Sequence, residues 1–340
     1  MKNILYFIDK IIFKKGNLLF FFFLVSSFLS RLNSKIYFID IFGQLGFQII
    51  IGGILLFLIL IIQKRLWTSM ICMIICALLT IDILSSCNQC NAFLKDKSQN
   101  YNKIRLMTFN TGLSNDFKNI RELILFENPD IIQFQEVTPQ MHDKIKSLKS
   151  FFPYNAGLSN PTKHFSSIIL SKYPLKNNKI VDYYTVLTKV ILDETELTII
   201  GIHLSAPLNQ PLLKLYIDLY FYFNNITKPH ELPMVTINFA IKQMEYLKTL
   251  VDNTNQNLIL MGDLNMSTTS KRFTNFLKDT NLYTYASYKH PTLTWPTFVP
   301  SYLGIQIDHV LFSKNFKVVK KKTTNYFGSD HRPLIVDLAF

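Results

Sequence analysis

The sequence predicts a layered α/β domain behind an N-terminal membrane anchor, and three observations carry that prediction. Apolar residues crowd the first 86 positions in helix-length runs. From residue 103 onward, short apolar strands are interspersed with helices. Those strands end, one after another, in carboxylate, amide or imidazole residues. The chain has 340 residues, 49% hydrophobic and only 17% charged, which leans toward a membrane protein. The excess apolar content sits almost wholly at the N-terminus, so residues 1–97 are read as the anchor with a short exit linker. Residues 98–340 are read as one domain, large enough to bury a substantial core.

Three apolar segments are expected to cross a bilayer. The first, Asn17–Ser30, surrounds a run of four phenylalanines and is short for a span. The second, Ile36–Ile62, carries Asp40 and Gln44, which belong near an interface or against another helix. The third is Leu66–Leu84, set off from the second by Lys64 and Arg65. Lys2, Lys10, Lys14 and Lys15 precede the first segment, while Arg31 and Lys35 follow it. Cytoplasmic loops favour Lys and Arg, so three spans with the N-terminus inside put the domain that follows on the non-cytoplasmic side. The expected location is a multi-pass protein of a bacterial inner membrane. Leu84-Ser85-Ser86-Cys87 resembles a bacterial lipoprotein acylation site; the preferred reading is a plain membrane exit with incidental cysteines.

Charge and cysteine usage bound the chemistry. The net charge of +13 divides into +6 before residue 98 and +7 after it. A moderately basic domain suits nucleic acid, anionic lipid or another phosphate-bearing partner. All four cysteines, Cys72, Cys76, Cys87 and Cys90, precede the domain, which excludes an internal disulfide and a cysteine nucleophile there.

Within the domain, strands are expected at 103–109, 130–135, 166–170, 186–192, 197–203, 258–262, 307–313 and 333–338. Helices are expected at 119–126 and 239–251. Polar residues then mark the strand ends. Asn110 follows Leu106-Met-Thr-Phe109, Glu136 follows Ile131-Ile-Gln-Phe-Gln135, and His203 ends Ile199-Ile-Gly-Ile202. Asp263 and Asn265 follow Leu258-Ile-Leu-Met-Gly262, Asp308 and His309 open Val310-Leu-Phe312, and Ser329-Asp330-His331 precede Arg332-Pro333-Leu334. Each signal alone is weak, since a Glu after a strand or an Asx turn is common. Their joint occurrence on one rigid sheet system is not.

In order, Phe109-Asn110-Thr111-Gly112, Gln133-Phe134-Gln135-Glu136, His203-Leu204-Ser205-Ala206-Pro207, Gly262-Asp263-Leu264-Asn265, Ile307-Asp308-His309-Val310 and Gly328-Ser329-Asp330-His331-Arg332-Pro333 resemble the motifs of the endonuclease/exonuclease/phosphatase superfamily. Thr294-Trp295-Pro296, with the apolar N-terminus, is similar to a membrane-anchored bacterial branch of it. The resemblance implies a four-layer α/β sandwich, two mixed sheets face to face with helices outside. It also implies hydrolysis of phosphate esters with Mg2+, Mn2+ being the alternative. It makes Glu136 the principal metal ligand, with Asn110 beside it and Asp330 completing the metal environment. Asp263 would orient or deprotonate the attacking water, Asn265 would position it, and His331, held by Asp308, would contact the phosphate. His203 would stabilise charge on the phosphoryl oxygens. Oxygen donors of this kind suit magnesium, and a His–carboxylate pair suits a phosphate contact. Relatives that carry an acid two residues after the motif Asn differ here, where Gly112 stands, which puts a second metal in doubt. A His rather than a Tyr at 203 resembles deoxyribonucleases, sphingomyelinases and lipid phosphatases more than abasic-site endonucleases.

The leading expectation is therefore hydrolysis of nucleic-acid phosphodiesters. A lipid phosphoesterase is the alternative, and a catalytically inactive membrane module the runner-up from another class. The expected partners are the phosphate-ester substrate and the lipid bilayer, with no obligate protein partner. The remaining residues take plainer readings. His142, His164, His230 and His290 are expected at the surface or in loops, His309 beside Asp308 in a packing role, and Lys320–Lys322 in a solvated turn. The apolar, aromatic stretch 211–223 is expected to pack on the domain, the alternative being contact with a bilayer.

Overall fold

A computed structural model describes residues 14–32, 37–85, 101–112, 114, 116–158, 166–182, 184–192, 195–206, 237–254, 257–285, 292–324 and 328–340. The expectations for Cys87, for 211–223, for His164, His230 and His290, and for a boundary at residue 97 lie outside the described residues. The chain divides into two compact units, Met1–Asn88 with Ser267–Asn275, and Gln89–Met266 with Phe276–Phe340.

The first unit is built from α1 (Lys14–Leu29), α2 (Tyr37–Gln44), α3 (Gly46–Ile62) and α4 (Leu66–Ser85). Phe23, Leu56, Leu60, Cys72 and Cys76 form its buried seam. Gly53 lies so close to Phe23 and Cys76 that an added Cβ would fall 2.5 Å from each. The outward faces are apolar: Phe21, Phe22, Leu55, Leu78 and Trp67 are all exposed. Among the described residues one helix, α4, is long and apolar enough to cross a membrane, while Gly16–Leu29 and Gly46–Ile62 are shorter. The expected second span does not run unbroken: α2 ends at Gln44 and α3 begins at Gly46. Asp40 is buried and accepts from Gln44 and from Arg272 of the same unit. Asp82 is paired with both Arg31 and Lys271.

The second unit begins with β1 (Lys103–Asn110), α5 (Phe117–Glu127), β2 (Ile131–Val137), α6 (Pro139–Lys146), β3 (Tyr154–Ala156), β4 (Ser166–Ser171) and β5 (Leu175–Asp182). It continues with β6 (Thr185–Leu192), β7 (Thr195–His203), α7 (Ile237–Asp252), β8 (Leu258–Asp263), β9 (Asp308–Phe312), β10 (Lys317–Thr323) and β11 (Leu334–Ala339). The strands form two mixed sheets, ordered β10-β11-β1-β2-β4-β3 and β5-β6-β7-β8-β9. Ile104, Leu106 and Ile169 from the first sheet meet Ile199, Ile259 and Phe312 from the second in one buried core. The outer face of the first sheet is covered by α5 and α6, through Ile120, Ile124, Met141 and Ile145 on Met107, Phe109 and Phe134. The result is an α/β sandwich of two mixed sheets flanked by helices.

Local chemistry explains the boundaries. Asp116 caps α5, its side chain accepting from Asn119 N, and Asn128 ends the helix in a left-handed conformation. Thr138 caps α6 through Met141 N, and Pro139 occupies the first turn, where no amide donor is needed. Several elements were not expected. Among them α6, β3, β5 and β10 are short or polar, so their periodicity is faint. Lys320–Lys322 belong to β10 and pair with β11, not a turn. The strand is a sheet edge, where lysines are tolerated and discourage further pairing. His142 is 1% exposed, packed on the inner face of α6 and not at the surface.

Candidate active site

Strand register places the site. β1 and β2 run parallel, with Asn110 opposite Gln135, so Asn110 and Glu136 emerge at the same end of the first sheet. β7 and β8 run parallel with His203 opposite Asp263, and β9 runs antiparallel to β8 with Asp308 opposite Asp263. Three functional side chains therefore stand in a row across the second sheet. The loop before β11 brings Ser329–Arg332 to the same end.

Backbone strain helps to aim these groups. The β2–β4 ladder slips between Phe134 and Val137, and Glu136 takes φ +53 at that bulge, which turns its carboxylate out of the ladder. Asn265 has φ +48, a conformation Asn tolerates; its amide N–H donates to Asp263 Oδ1 at 2.8 Å and its Nδ2 to Leu204 O at 2.7 Å. Gly262 has φ +147 and abuts Ile202 O, leaving no room for a Cβ.

All eight residues expected from the sequence line this end of the sandwich. Asn110 Nδ2 donates to Glu136 Oε1 at 2.9 Å and to Asp263 Oδ2 at 3.1 Å. Asn110 Oδ1 accepts from Gly112 N at 2.9 Å, so service as an oxygen ligand requires the amide to turn over. His203 Nε2 lies 3.5 Å from Glu136 Oε1 and 3.6 Å from Asp263 Oδ2. His331 Nδ1 bonds Asp308 Oδ2 at 2.9 Å, and its Nε2 lies 3.8 Å from Asp263 Oδ2. Asp263, Asp308 and His331 together offer ligand atoms within 4.8 Å of one another. Asp330 is buried, accepts from Trp295 Nε1 at 3.0 Å, and its charge acts on Glu136.

Crowded negative charge sets the electrostatics. Burial, together with the charges of Asp330 and Asp308, pushes Glu136 up to about 7. Burial and the Asp308 charge push Asp263 up to about 6. Burial opposes protonation of His331, but Asp308, Asp330 and Asp263 outweigh it and raise its pKa well above the ordinary value. Burial lowers His203. His309 faces away, buried, with Nε2 2.8 Å from Met266 O, and burial drives it down to about 3; it is a packing residue.

A divalent cation fits this donor set. The acids supply several oxygens at neighbouring strand ends, and burial with neighbouring negative charge raises the pKa of two of them. Asp308 Oδ1 is also buried with no hydrogen-bond partner.

Sequence reasoning did not assign some residues that build the site. Gln243 on α7 bridges His203 O and Ser205 N at 3.0 and 2.9 Å, fixing the end of β7. The Tyr184 ring packs edge-on against His203 with centroids 5.8 Å apart. Thr294 Oγ1 accepts from both Ile307 N and Asp308 N. Of these, only Thr294, through its Trp-Pro neighbours, left a trace in the sequence; Gln243 and Tyr184 sit in unremarkable local patterns.

Fold and site together define an α/β sandwich with an acid–imidazole centre at facing strand ends. Residues 107–331 match the family model described as Endonuclease/Exonuclease/phosphatase family, and the chain belongs to that family, whose members hydrolyse phosphoester bonds. No curated protein matches it in sequence. Among solved structures it is similar to truncated Caenorhabditis elegans TDP2, at 15% identity over 70% of this chain and 98% of that one, TM-score 0.47. It is also similar to sphingomyelinase C from Streptomyces griseocarneus, at 15% identity over 69% and 99%, TM-score 0.45. A third is an endonuclease/exonuclease/phosphatase family protein from Leptotrichia buccalis, at 13% identity over 70% and 100%, TM-score 0.48.

Proposed function

We propose that this chain is a membrane-anchored, divalent-cation-dependent phosphoesterase that hydrolyses nucleic-acid phosphodiesters with an activated water. The observation that carries the reading is the convergence of Glu136, Asp263, Asp308 and Asp330 with His203 and His331 at one end of the sandwich. Asp263, Asp308 and Asp330 are buried and Glu136 is half-buried, and acids gathered this way at one strand end support a functional site. Membrane anchorage rests on α4, with the apolar outward faces of α1 and α3 beside it. The net charge of +7 after residue 97 supports a polyanionic substrate.

Glu136, Asp330 and a turned-over Asn110 amide would hold Mg2+ or Mn2+. When bound, the cation supplies charge neutralisation at the phosphoryl oxygens. Asp263 orients the water and takes its proton; a carboxylate with a raised pKa is a better base near neutral pH than an ordinary one. Asn265 positions the same water from its strained turn. His331, kept protonated by Asp308, donates to a phosphoryl oxygen. His203, between Glu136 and Asp263, stabilises charge as it develops.

The test is a hydrolysis panel with the full chain, in Mg2+ and in EDTA, with Asp263→Asn as control. The substrates are single- and double-stranded DNA, RNA, and vesicles of sphingomyelin or phosphoinositide. Turnover of nucleic acid that vanishes in EDTA and in the mutant, and falls steeply with salt, supports the proposal. Turnover confined to the vesicles shifts the substrate to lipid. No turnover of any member in either Mg2+ or Mn2+ overturns the enzymatic reading.

A further inference from the structure

Asp330 is held from several sides by a segment with no charged residue, Thr294–Val299. Trp295 Nε1 donates to Asp330 Oδ2 at 3.0 Å, and Thr297 N donates to Asp330 O at 2.9 Å. Thr297 Oγ1 donates to Ser329 O at 2.7 Å, while Arg332 N donates to Thr294 O at 2.7 Å. The Arg332 guanidinium reaches across to Pro296 O, Thr297 O and Val299 O. The segment and the Ser329–Arg332 turn are thus one rigid piece.

The other carboxylate oxygen of Asp330 faces Gly112. Oδ1 lies against Gly112, where an added Cβ would come within 2.3 Å of it, and Gly112 has φ +51. Gly112 N in turn bonds Asn110 Oδ1, next to Glu136. Asp330 Oδ1 therefore occupies the ground that a side chain at position 112 would otherwise fill.

We propose that Trp295 is the positioning residue of the cation site: its indole N–H fixes one oxygen of Asp330 so that the other is presented beside Glu136 and Asn110. This rests on the cation-dependent reading above. The choice of donor has a physical reason. An indole N–H donates and cannot accept, and it carries no charge. A Lys or Arg in its place would neutralise Asp330 and repel a divalent cation. An indole orients the carboxylate and leaves its full charge for the ion. Outer partners of this kind tune affinity more than they tune chemistry.

The experiment is a Mn2+ titration of the full chain followed by electron paramagnetic resonance of the free ion. It compares wild type, Trp295→Phe, Asp330→Asn and the double variant. Trp295→Phe is expected to weaken Mn2+ binding by about 10- to 100-fold. Its activity should recover at saturating Mg2+ to within about threefold of wild type, a split between cation affinity and turnover that general loosening of the fold would not give. In the Asp330→Asn background the same substitution should change affinity by less than about threefold, because the indole acts through that carboxylate. A second readout keeps Trp295 in place. The chain has only one other tryptophan, Trp67, so in a Trp67→Phe chain the Trp295 emission should respond to Mg2+, and Asp330→Asn should abolish the response. Unchanged Mn2+ affinity in Trp295→Phe, additive effects in the double variant, or emission indifferent to Mg2+ each overturn the proposal. A wild-type chain that binds no Mn2+ and turns over nothing would instead defeat the cation-dependent reading itself.

Discussion

The acid cluster predicts an unusual pH response of the cation-free protein. Folding takes Glu136 from an ordinary 4.5 up to about 7, and Asp263 from 3.8 up to about 6. The folded state therefore binds more protons than the unfolded chain between those values, and stability must fall as pH rises through that window. Each displacement corresponds to about 3 kcal/mol at roughly 1.4 kcal/mol per pH unit. The two groups share neighbours, so their joint effect is smaller than the sum. His331, raised by Asp308, Asp330 and Asp263 against burial, acts in the same direction above its unfolded pKa. His203, lowered by burial, acts the other way and offsets part of the loss below pH 6.5. A net cost of about 3 kcal/mol in a domain of this size is a fall of roughly 6–12 °C in melting temperature. The assay is thermal unfolding of the full chain between pH 4 and pH 8, in EDTA and in Mg2+. The melting temperature should drop toward pH 8 in EDTA, and Mg2+ should restore most of it, because a cation replaces the missing counter-charge. A flat or rising curve in EDTA, or the same curve with and without Mg2+, would refute the account of the site as a set of acids awaiting an ion.

Three further outcomes follow from the geometry. Asp308→Asn keeps an acceptor for His331 but removes the negative charge that holds it protonated; turnover should fall by about 10²- to 10⁴-fold and the alkaline limb of the pH–rate profile should move to lower pH, measured on whichever substrate the panel identifies. Gly112→Ala forces a side chain into φ +51 and toward Asp330 Oδ1; it should destabilise by about 1–3 kcal/mol and weaken Mn2+ binding, read by urea unfolding and by the resonance titration. Gln243→Ala frees the backbone at His203 and Ser205; unfolding should show a loss of about 1–3 kcal/mol with Mn2+ affinity unchanged, since the Gln243 side chain bonds backbone atoms of His203 and Ser205.

What the sequence made legible follows from where its periodicities break. Buried strands such as Leu258–Asp263 are apolar until their last residue, so the first acid or imidazole after the run marks a strand end and draws attention to itself. Parallel pairing gathers the C-terminal ends of β1 with β2 and of β7 with β8, and the antiparallel strands β9 and β11 begin at that same end, which is why six separate motifs fall into one site. The edge strands were harder to see. Leu175–Asp182 and Lys317–Thr323 have a sheet partner on one side only, keep polar residues, and in the second case look like a solvated lysine turn. His142 shows the converse failure: nothing in a polar octapeptide reveals that its imidazole faces inward, because burial is decided by the sheet beneath α6. The run 36–62 reads as one span by composition, yet the helix breaks at Leu45, between Gln44 and Gly46. The aim of the candidate site residues was least legible of all. Glu136 could be named from its motif, but its direction depends on a bulge against β4 that no local pattern encodes. Asp330 likewise could be named, while the indole that orients it comes from a loop 35 residues upstream with no period to follow. The residue types at the site are thus written in the strands, and their orientation in the contacts between loops. Substitutions such as Trp295→Phe, which change an orientation and leave every acid in place, are therefore the ones that test whether the site works as described.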